Sequence, residues 1–167
     1  MATPSTPALR MLAGSGVAHR VHTYELPERH GRDRDDRRHY GEEAAAALGV
    51  PPERVFKTLV VDVDGRLVLA IVPAARDLDL RALAQAAGGR RAALADPVDA
   101  ERASGSVVGG ISPLAPRRPM AAVLDAGAAA NDTVLVSAGR RGLQVELAPD
   151  DLARLTGATV AAIARGP

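Results

Sequence analysis

A chain that uses arginine for 20 of its 21 basic side chains keeps a single lysine, Lys57, inside the apolar segment Val55-Phe56-Lys57-Thr58-Leu59-Val60-Val61. Arginine is a planar, permanently charged fork, whereas lysine is a compact ammonium on a thin stem that responds to burial. A crowded site needing a point cation would distinguish the two, which makes Lys57 the first candidate for binding or catalysis. A residual surface lysine is the competing reading, and composition alone leaves both open. If the segment is a strand, Phe56, Thr58 and Val60 share one face, and Val55, Lys57, Leu59 and Val61 share the other. Lys57 then lies among apolar neighbours on what reads as a central strand, pointing into a cavity. The alternative is a strand-edge lysine reaching outward to water.

Two glycine-bearing segments could complete a site around it. Gly109-Gly110-Ile111-Ser112-Pro113-Leu114 lets backbone approach a ligand without Cβ interference and can present N–H groups to an anion or a developing oxyanion. Ser137-Ala138-Gly139-Arg140-Arg141-Gly142 has the same character with two added cations. Taken singly, each also reads as an ordinary connecting turn. The histidines His19, His22, His30 and His39 all fall in the first 39 residues. His22 and Tyr24 share one face of a short strand and could line a cleft. His30 and His39 have no spacing that matches a helical or hairpin metal-ligand set. Ser112 or Ser137 could in principle serve a nucleophilic triad, but there is no G-x-S-x-G elbow, no P-loop and no dinucleotide glycine pattern.

The elements that must hold these residues are legible in outline. Ser5 or Thr6 caps a first helix through Pro7 and Leu12, which ends near Gly14 or Gly16. A strand follows at about His19 to Tyr24. Residues 27–39 mix both charge signs without apolar periodicity and read as a solvated, flexible loop. A helix from Gly41 to Leu48 closes at Gly49. The run from Leu59 to Val72 then predicts a hairpin, with strands from Val55 to Val63 and Arg66 to Val72 joined at Asp64-Gly65. Leu78 to Ala87 reads as a helix, and a short helix follows Asp96-Pro97. Strands are expected at Met120 to Leu124, Thr133 to Ser137 and Leu143 to Leu147. A helix from Pro149 to Leu155 precedes a closing segment from Thr159 to Ile163. Interspersed strands and helices with a tight hairpin predict an α+β fold, a single domain over residues 1–167 whose curved, barrel-like mixed sheet is flanked by helices.

Composition bounds the function. With no cysteine, disulfides, thiolate nucleophiles and Cys-type zinc sites are all removed. With aromatics at 2%, base stacking of the kind that reads single-stranded RNA has little to work with. A formal net charge of +1 is far below that of proteins binding nucleic acid mainly by charge. No run approaches the roughly 18 apolar residues of a membrane span, and the N-terminus lacks a secretory pattern. A cytoplasmic protein without a membrane or DNA partner is expected.

In combination the segments His22-Thr23-Tyr24-Glu25, the Lys57 strand, residues 95–114 and residues 134–158 resemble the YbaK family of aminoacyl-tRNA deacylases, over about Ala8 to Arg165. The resemblance implies a trans-editing enzyme, related to the insertion domain of bacterial prolyl-tRNA synthetases, that removes a small mischarged amino acid. Cys on tRNA(Pro) is the implied substrate, with Cys-tRNA(Cys) as a second one. Alanine or another small residue is an alternative, and so is a silent module that binds tRNA or the synthetase. Prolyl-tRNA synthetase and aminoacyl-tRNA are the implied partners, with no cofactor and no metal. Carried onto this sequence, the family pattern gives catalytic roles to Lys57, Gly109, Gly110 and Ser112. Substrate contacts fall to Tyr24, Thr58, Ile111, Pro113, Ser137, Ala138, Gly139 and Arg140. Ala138 and Arg140 stand where the family has Gly and Lys, and Ser106 stands where many members have Tyr. The charged segment at residues 28–39 is longer and richer in Arg and Asp than the family pattern, and with Ala138 and Ser106 it bears on which amino acid fits.

Overall fold

The computed structural model describes residues 5–26 and 40–166. The expected loop over residues 27–39, with His30 and His39, lies outside them. The described residues form an α+β domain with three sheets and five α-helices.

The largest sheet is built on the predicted hairpin. Strands β2 (Phe56–Val63) and β3 (Arg66–Pro73) pair antiparallel across Asp64-Gly65, with Lys57 opposite Val72. Asp64 (φ 51°) and Gly65 (φ 87°) both take the left-handed conformation this two-residue turn requires. β3 is buried from Val68 onward and alternates between two cores. Val68, Ala70 and Val72 pack with Val61, Val63 and Leu83, while Leu69 and Ile71 face the opposite side with Val60 and Phe56. That double burial explains its unbroken apolar run. β5 (Ala92–Leu94) adds to β2 antiparallel at Val61 to Val63, whereas β6 (Ala121–Asp125) and β9 (Thr159–Ala161) extend the other side in parallel. α3 (Leu80–Ala86) covers the Val61 face and α4 (Pro97–Ser104) covers the Val60 face.

The second sheet has the order β1 (His19–Thr23), β8 (Leu143–Leu147) and β7 (Val134–Ser137), antiparallel throughout. Its inner face, with Val134, Val136, Leu143, Val145 and Leu147, packs on Leu12 of α1 (Pro7–Ser15) and Leu152 of α5 (Pro149–Thr156). Its outer face is partly covered by α2 (Tyr40–Leu48), whose Ala44 and Ala45 meet Leu135, Val55 and Tyr24. β4 (Asp77–Leu78) and β10 (Ala164–Arg165) form a third, two-stranded ladder.

The barrel-like curvature is not realised. The two larger sheets meet through one parallel bridge, Val55 with Leu135, and no described ladder closes them into a barrel. β5 covers β2 only at Val61 to Val63, so at Lys57 β2 is an edge and not the central strand the alternation suggested.

Candidate active site

That open edge is where the cleft lies. In β2, the Val60 carbonyl accepts from Ala95 N–H on the β5 side, at 3.0 Å, and the Val55 carbonyl accepts from Ala74 on the opposite side. Backbone groups alternate along a strand, so the N–H and C=O of Thr58 also point away from β3, past the end of β5. The cleft wraps this edge. Lys57 and Leu59 reach it from one face of β2, and Phe56, Thr58 and Val60 from the other. Ser137 and Gln144 come from the second sheet, Tyr40 and Gly41 from the start of α2, and Val108, Gly109 and Ile111 from the loop after α4.

Lys57 is half-buried. Burial lowers its pKa below the ordinary lysine value, and the carboxylates of Asp77 and Glu42 act in the opposite direction. The side chain borders a second hollow as well, lined by Asp77, Leu78, Leu80, Leu94 and Arg165. Lys57 therefore borders two recesses, with Asp77 lining the second and Glu42 in the first turn of α2, whose Tyr40 and Gly41 line the first.

The two glycine loops are clamped to each other. A Cβ on Gly110 would lie 2.7 Å from the carbonyl carbon of Arg140 and the amide nitrogen of Arg141, a separation that only glycine permits. Gly109, at φ 92°, lies under Tyr40 and the Arg141 side chain. Arg141 Nε donates to the Val108 carbonyl at 2.8 Å, and its guanidinium stacks 4.9 Å from the Tyr40 ring centroid. Arg141 and Tyr40 thus fix the roof of the cleft. Sequence reading did not single out Tyr40 and took Arg141 only as one of the two cations of its loop, because their partners are distant in the chain.

The expected site residues divide sharply. Lys57, Thr58, Gly109, Ile111 and Ser137 share the cleft. Gly110 does not line it, and its N–H is taken by the Val107 carbonyl at 2.9 Å, so its part is the close loop packing. Ser112 is buried, accepts from Leu114 N–H at 3.1 Å, and faces a separate cavity with Gly139 and Ser106. Pro113 is buried beside it. Ala138 points into the core with Leu12 and Val136, so the methyl it adds to the glycine loop does not enter the cleft. Gly139 packs against Thr6, the N-cap of α1, whose hydroxyl donates to the Ala138 carbonyl at 2.6 Å. Arg140 is exposed.

Tyr24 lies one layer behind the cleft. Burial pushes its phenol above the usual tyrosine range, against the smaller opposing effect of Gln144 and the Gly142 backbone beside its hydroxyl. Gln144, which sequence reading also missed, is 5% exposed and lies opposite both His22 and Ser137 in the sheet. His22 does not reach the cleft. Its Nε2 meets Glu146 Oε1 at 2.8 Å, in a cluster where Arg54 and Thr133 bind Glu146 Oε2 at 3.0 and 2.6 Å. The Thr133 hydroxyl, His22 and Arg54 hold the Glu146 carboxyl down to about 2 against its burial. Among the described residues no three His, Asp or Glu side chains converge as a metal site would require, and no helix is long and apolar enough to cross a membrane.

Known proteins resemble this chain in sequence and fold. Residues 36–155 match the aminoacyl-tRNA editing domain family. A candidate Cys-tRNA(Pro)/Cys-tRNA(Cys) deacylase, EbsC of Enterococcus faecalis, is 33% identical over 159 residues, which is 95% of this chain and 92% of that protein. A proline–tRNA ligase of Moorella thermoacetica is 38% identical over 72 residues, covering 43% of this chain and 13% of the ligase. The crystal structure of a candidate trans-editing enzyme for prolyl tRNA synthetase superposes with a TM-score of 0.80 at 25% identity, over 98% of this chain and all of that one. With a family match across most of its length and a relative at one-third identity from end to end, this chain belongs to the YbaK family of aminoacyl-tRNA editing domains.

Proposed function

We propose that this protein is a trans-editing deacylase that removes cysteine from mischarged tRNA(Pro) at the cleft around Lys57. One observation carries the reading: the only lysine of the chain sits half-buried at an open strand edge, where the loop of Gly109 and Ile111 closes over it. An aminoacyl ester is already activated, so the protein's task is to orient it and to stabilise the oxyanion forming on its carbonyl. Lys57 supplies a desolvated point charge beside that oxygen or the neighbouring ribose and phosphate. Backbone groups at Gly109, Ile111 and Thr58 border the same space. Gly110 and Ser112, with their polar groups turned to the protein itself, serve the shape of the loop.

With cysteine as the acyl group, the substrate can provide its own nucleophile. Its sulfur attacks the ester carbon, the bond from that carbon to the ribose oxygen breaks, and the ribose oxygen takes up the thiol proton. A cyclic thiolactone leaves. The name of the EbsC relative supports cysteine as the acyl group, and the ligase segment supports prolyl-tRNA synthetase as partner.

The test is deacylation of Cys-tRNA(Pro), Ala-tRNA(Pro) and Pro-tRNA(Pro) by purified protein, with and without prolyl-tRNA synthetase. Loss of cysteine about tenfold faster than alanine or proline is expected. Faster loss of alanine moves the specificity within the same chemistry, and loss of none, even with the synthetase, overturns the reading.

A further inference from the structure

The cleft holds two polar atoms that the fold leaves unused. Thr58 Oγ1 and Gln144 Oε1 are both buried and have no hydrogen-bond partner among the described residues, and both side chains line the cleft. A buried polar atom without a partner costs roughly 1–3 kcal/mol, and native structures hold few of them. Thr58 is on β2 and Gln144 on β8, in different sheets, so neither arises as a by-product of one local turn.

The orientation of Gln144 has a cause. Its amide lies near the Tyr24 hydroxyl and favours the ionised phenol there, as a nearby N–H does. With Nε2 turned toward that hydroxyl, Oε1 is left as the partnerless end of the group. Tyr24 is itself packed under α2 with Val55 and Leu135, so the amide has little freedom to turn.

The charge of the missing partner can be argued from the walls. Lys57 lines the same cleft, and a second desolvated cation beside it is costly. An anion would meet the acceptor dipole of Oε1. What remains is a neutral hydrogen-bond donor, held between Oε1 and the Thr58 hydroxyl.

We propose that Gln144, oriented by Tyr24 and assisted by Thr58, reads a neutral hydrogen-bond donor, a hydroxyl or thiol, on the aminoacyl-adenosine end of the substrate. This rests on the deacylase reading for the identity of the ligand, though not on turnover. The donor has two sources of the same chemistry: the acyl side chain and the ribose hydroxyl next to the ester. Sites built to bond such a group reject analogues lacking it far more strongly than apolar pockets reject a missing methylene.

The probes are non-hydrolysable 3′-amino-3′-deoxyadenosine amides carrying seryl, cysteinyl or 2-aminobutyryl groups, each with the 2′-hydroxyl present or removed. Binding is measured by calorimetry to wild type, Gln144→Met, Thr58→Val and Tyr24→Phe, each checked by circular dichroism and thermal melting. If the acyl group carries the donor, wild type binds the seryl or cysteinyl amide about tenfold or more tighter than the 2-aminobutyryl amide. In Gln144→Met that ratio falls to within about threefold, and Thr58→Val and Tyr24→Phe give intermediate ratios. If the ribose carries it, the acyl groups bind alike and removal of the 2′-hydroxyl produces the same contrast, again lost in Gln144→Met. Should Gln144→Met not fold, the ratio in Thr58→Val decides. Wild-type ratios retained in the folded variants, or no donor preference in wild type, overturn the assignment to Gln144. Absence of ester turnover with the binding contrast intact overturns the deacylase and leaves this reading standing.

Discussion

At the scale of single residues, the lysine is the feature the sequence announced most clearly. Its signal was the bias toward arginine everywhere else, and the burial of its ammonium supplies the physical reason for the exception. Lys57→Ala should lower kcat/KM for the mischarged ester by about 10²-fold or more, the usual effect of removing one stabilising group from a developing oxyanion. Thermal stability should change by only about 1 kcal/mol. Lys57→Arg should also impair turnover, because a forked guanidinium does not fit where a point charge does, and full activity in that variant would remove the argument. The pH dependence has a definite sign. Burial lowers the lysine pKa below 10.5, so the folded state favours the neutral amine, and the ammonium is lost at lower pH than in an ordinary lysine. Activity, corrected for spontaneous ester hydrolysis, should decline on an alkaline limb below 10.5 that is absent in Lys57→Ala. Gln144, by contrast, was illegible. It lies in a strand reading Leu-Gln-Val-Glu-Leu, where a polar residue between apolar ones signals a solvated face. Only the approach of the β2 edge and α2 from elsewhere in the chain turns that face into the wall of a cleft. The two departures from the family pattern at Ala138 and Ser106 looked like changes of specificity, yet one side chain enters the core and the other faces a different cavity.

At the scale of elements, helix ends were easy to place because caps act locally. Thr6, Asp96 and Gly16 stop or start their helices through contacts within a few residues. The short strands β4 and β5 were missed for the converse reason. Ala92–Leu94 has neither length nor alternation of its own and becomes a strand only by pairing with Val61 to Val63. The packing of the two glycine loops is likewise a property of the pair. Gly110→Ala places a methyl against Arg140–Arg141 backbone, which cannot withdraw as a flexible side chain would. That variant should lose activity together with about 1–3 kcal/mol of stability, the cost of overpacking. Denaturant titration beside ester turnover would show whether both fall. The cluster on β8 is separable from the cleft. Glu146, held to about 2 from a reference of 4.5, contributes stability that is fully present above pH 4.5 and is lost as pH falls toward 2. Glu146→Gln should cost on the order of 2–3 kcal/mol at pH 7. The gap from wild type should close progressively between pH 5 and 2. A gap that does not vary with pH would mean the carboxylate charge plays no part.

At the scale of the whole molecule, the sequence conveyed the α+β class but not how the sheets join. Parallel pairing of β3 with β6 and of β6 with β9 depends on long connections that leave no local mark, and the single Val55–Leu135 bridge leaves open the edge that a barrel would have closed. The open edge has an electrostatic setting that bears on how tRNA is held. With a net charge of +1, the surface has no general attraction for a polyanion. Cations at or near the cleft include Lys57, Arg141 of its roof, the exposed Arg140 beside it in the chain, and Arg165 of the second hollow. If about three phosphates are neutralised, the logarithm of the association constant for tRNA should fall with log salt at a slope of about −2 to −3. That slope corresponds to weak binding at physiological ionic strength, and it gives a synthetase that already holds tRNA(Pro) a physical reason to deliver the substrate. Arg140→Ala should reduce the slope by about 1 and weaken binding of all tRNAs alike. A slope steeper than about −5 for wild type would require a broad cationic face. In that case the isolated protein would capture its substrate without help, and adding prolyl-tRNA synthetase should then leave the deacylation rate unchanged.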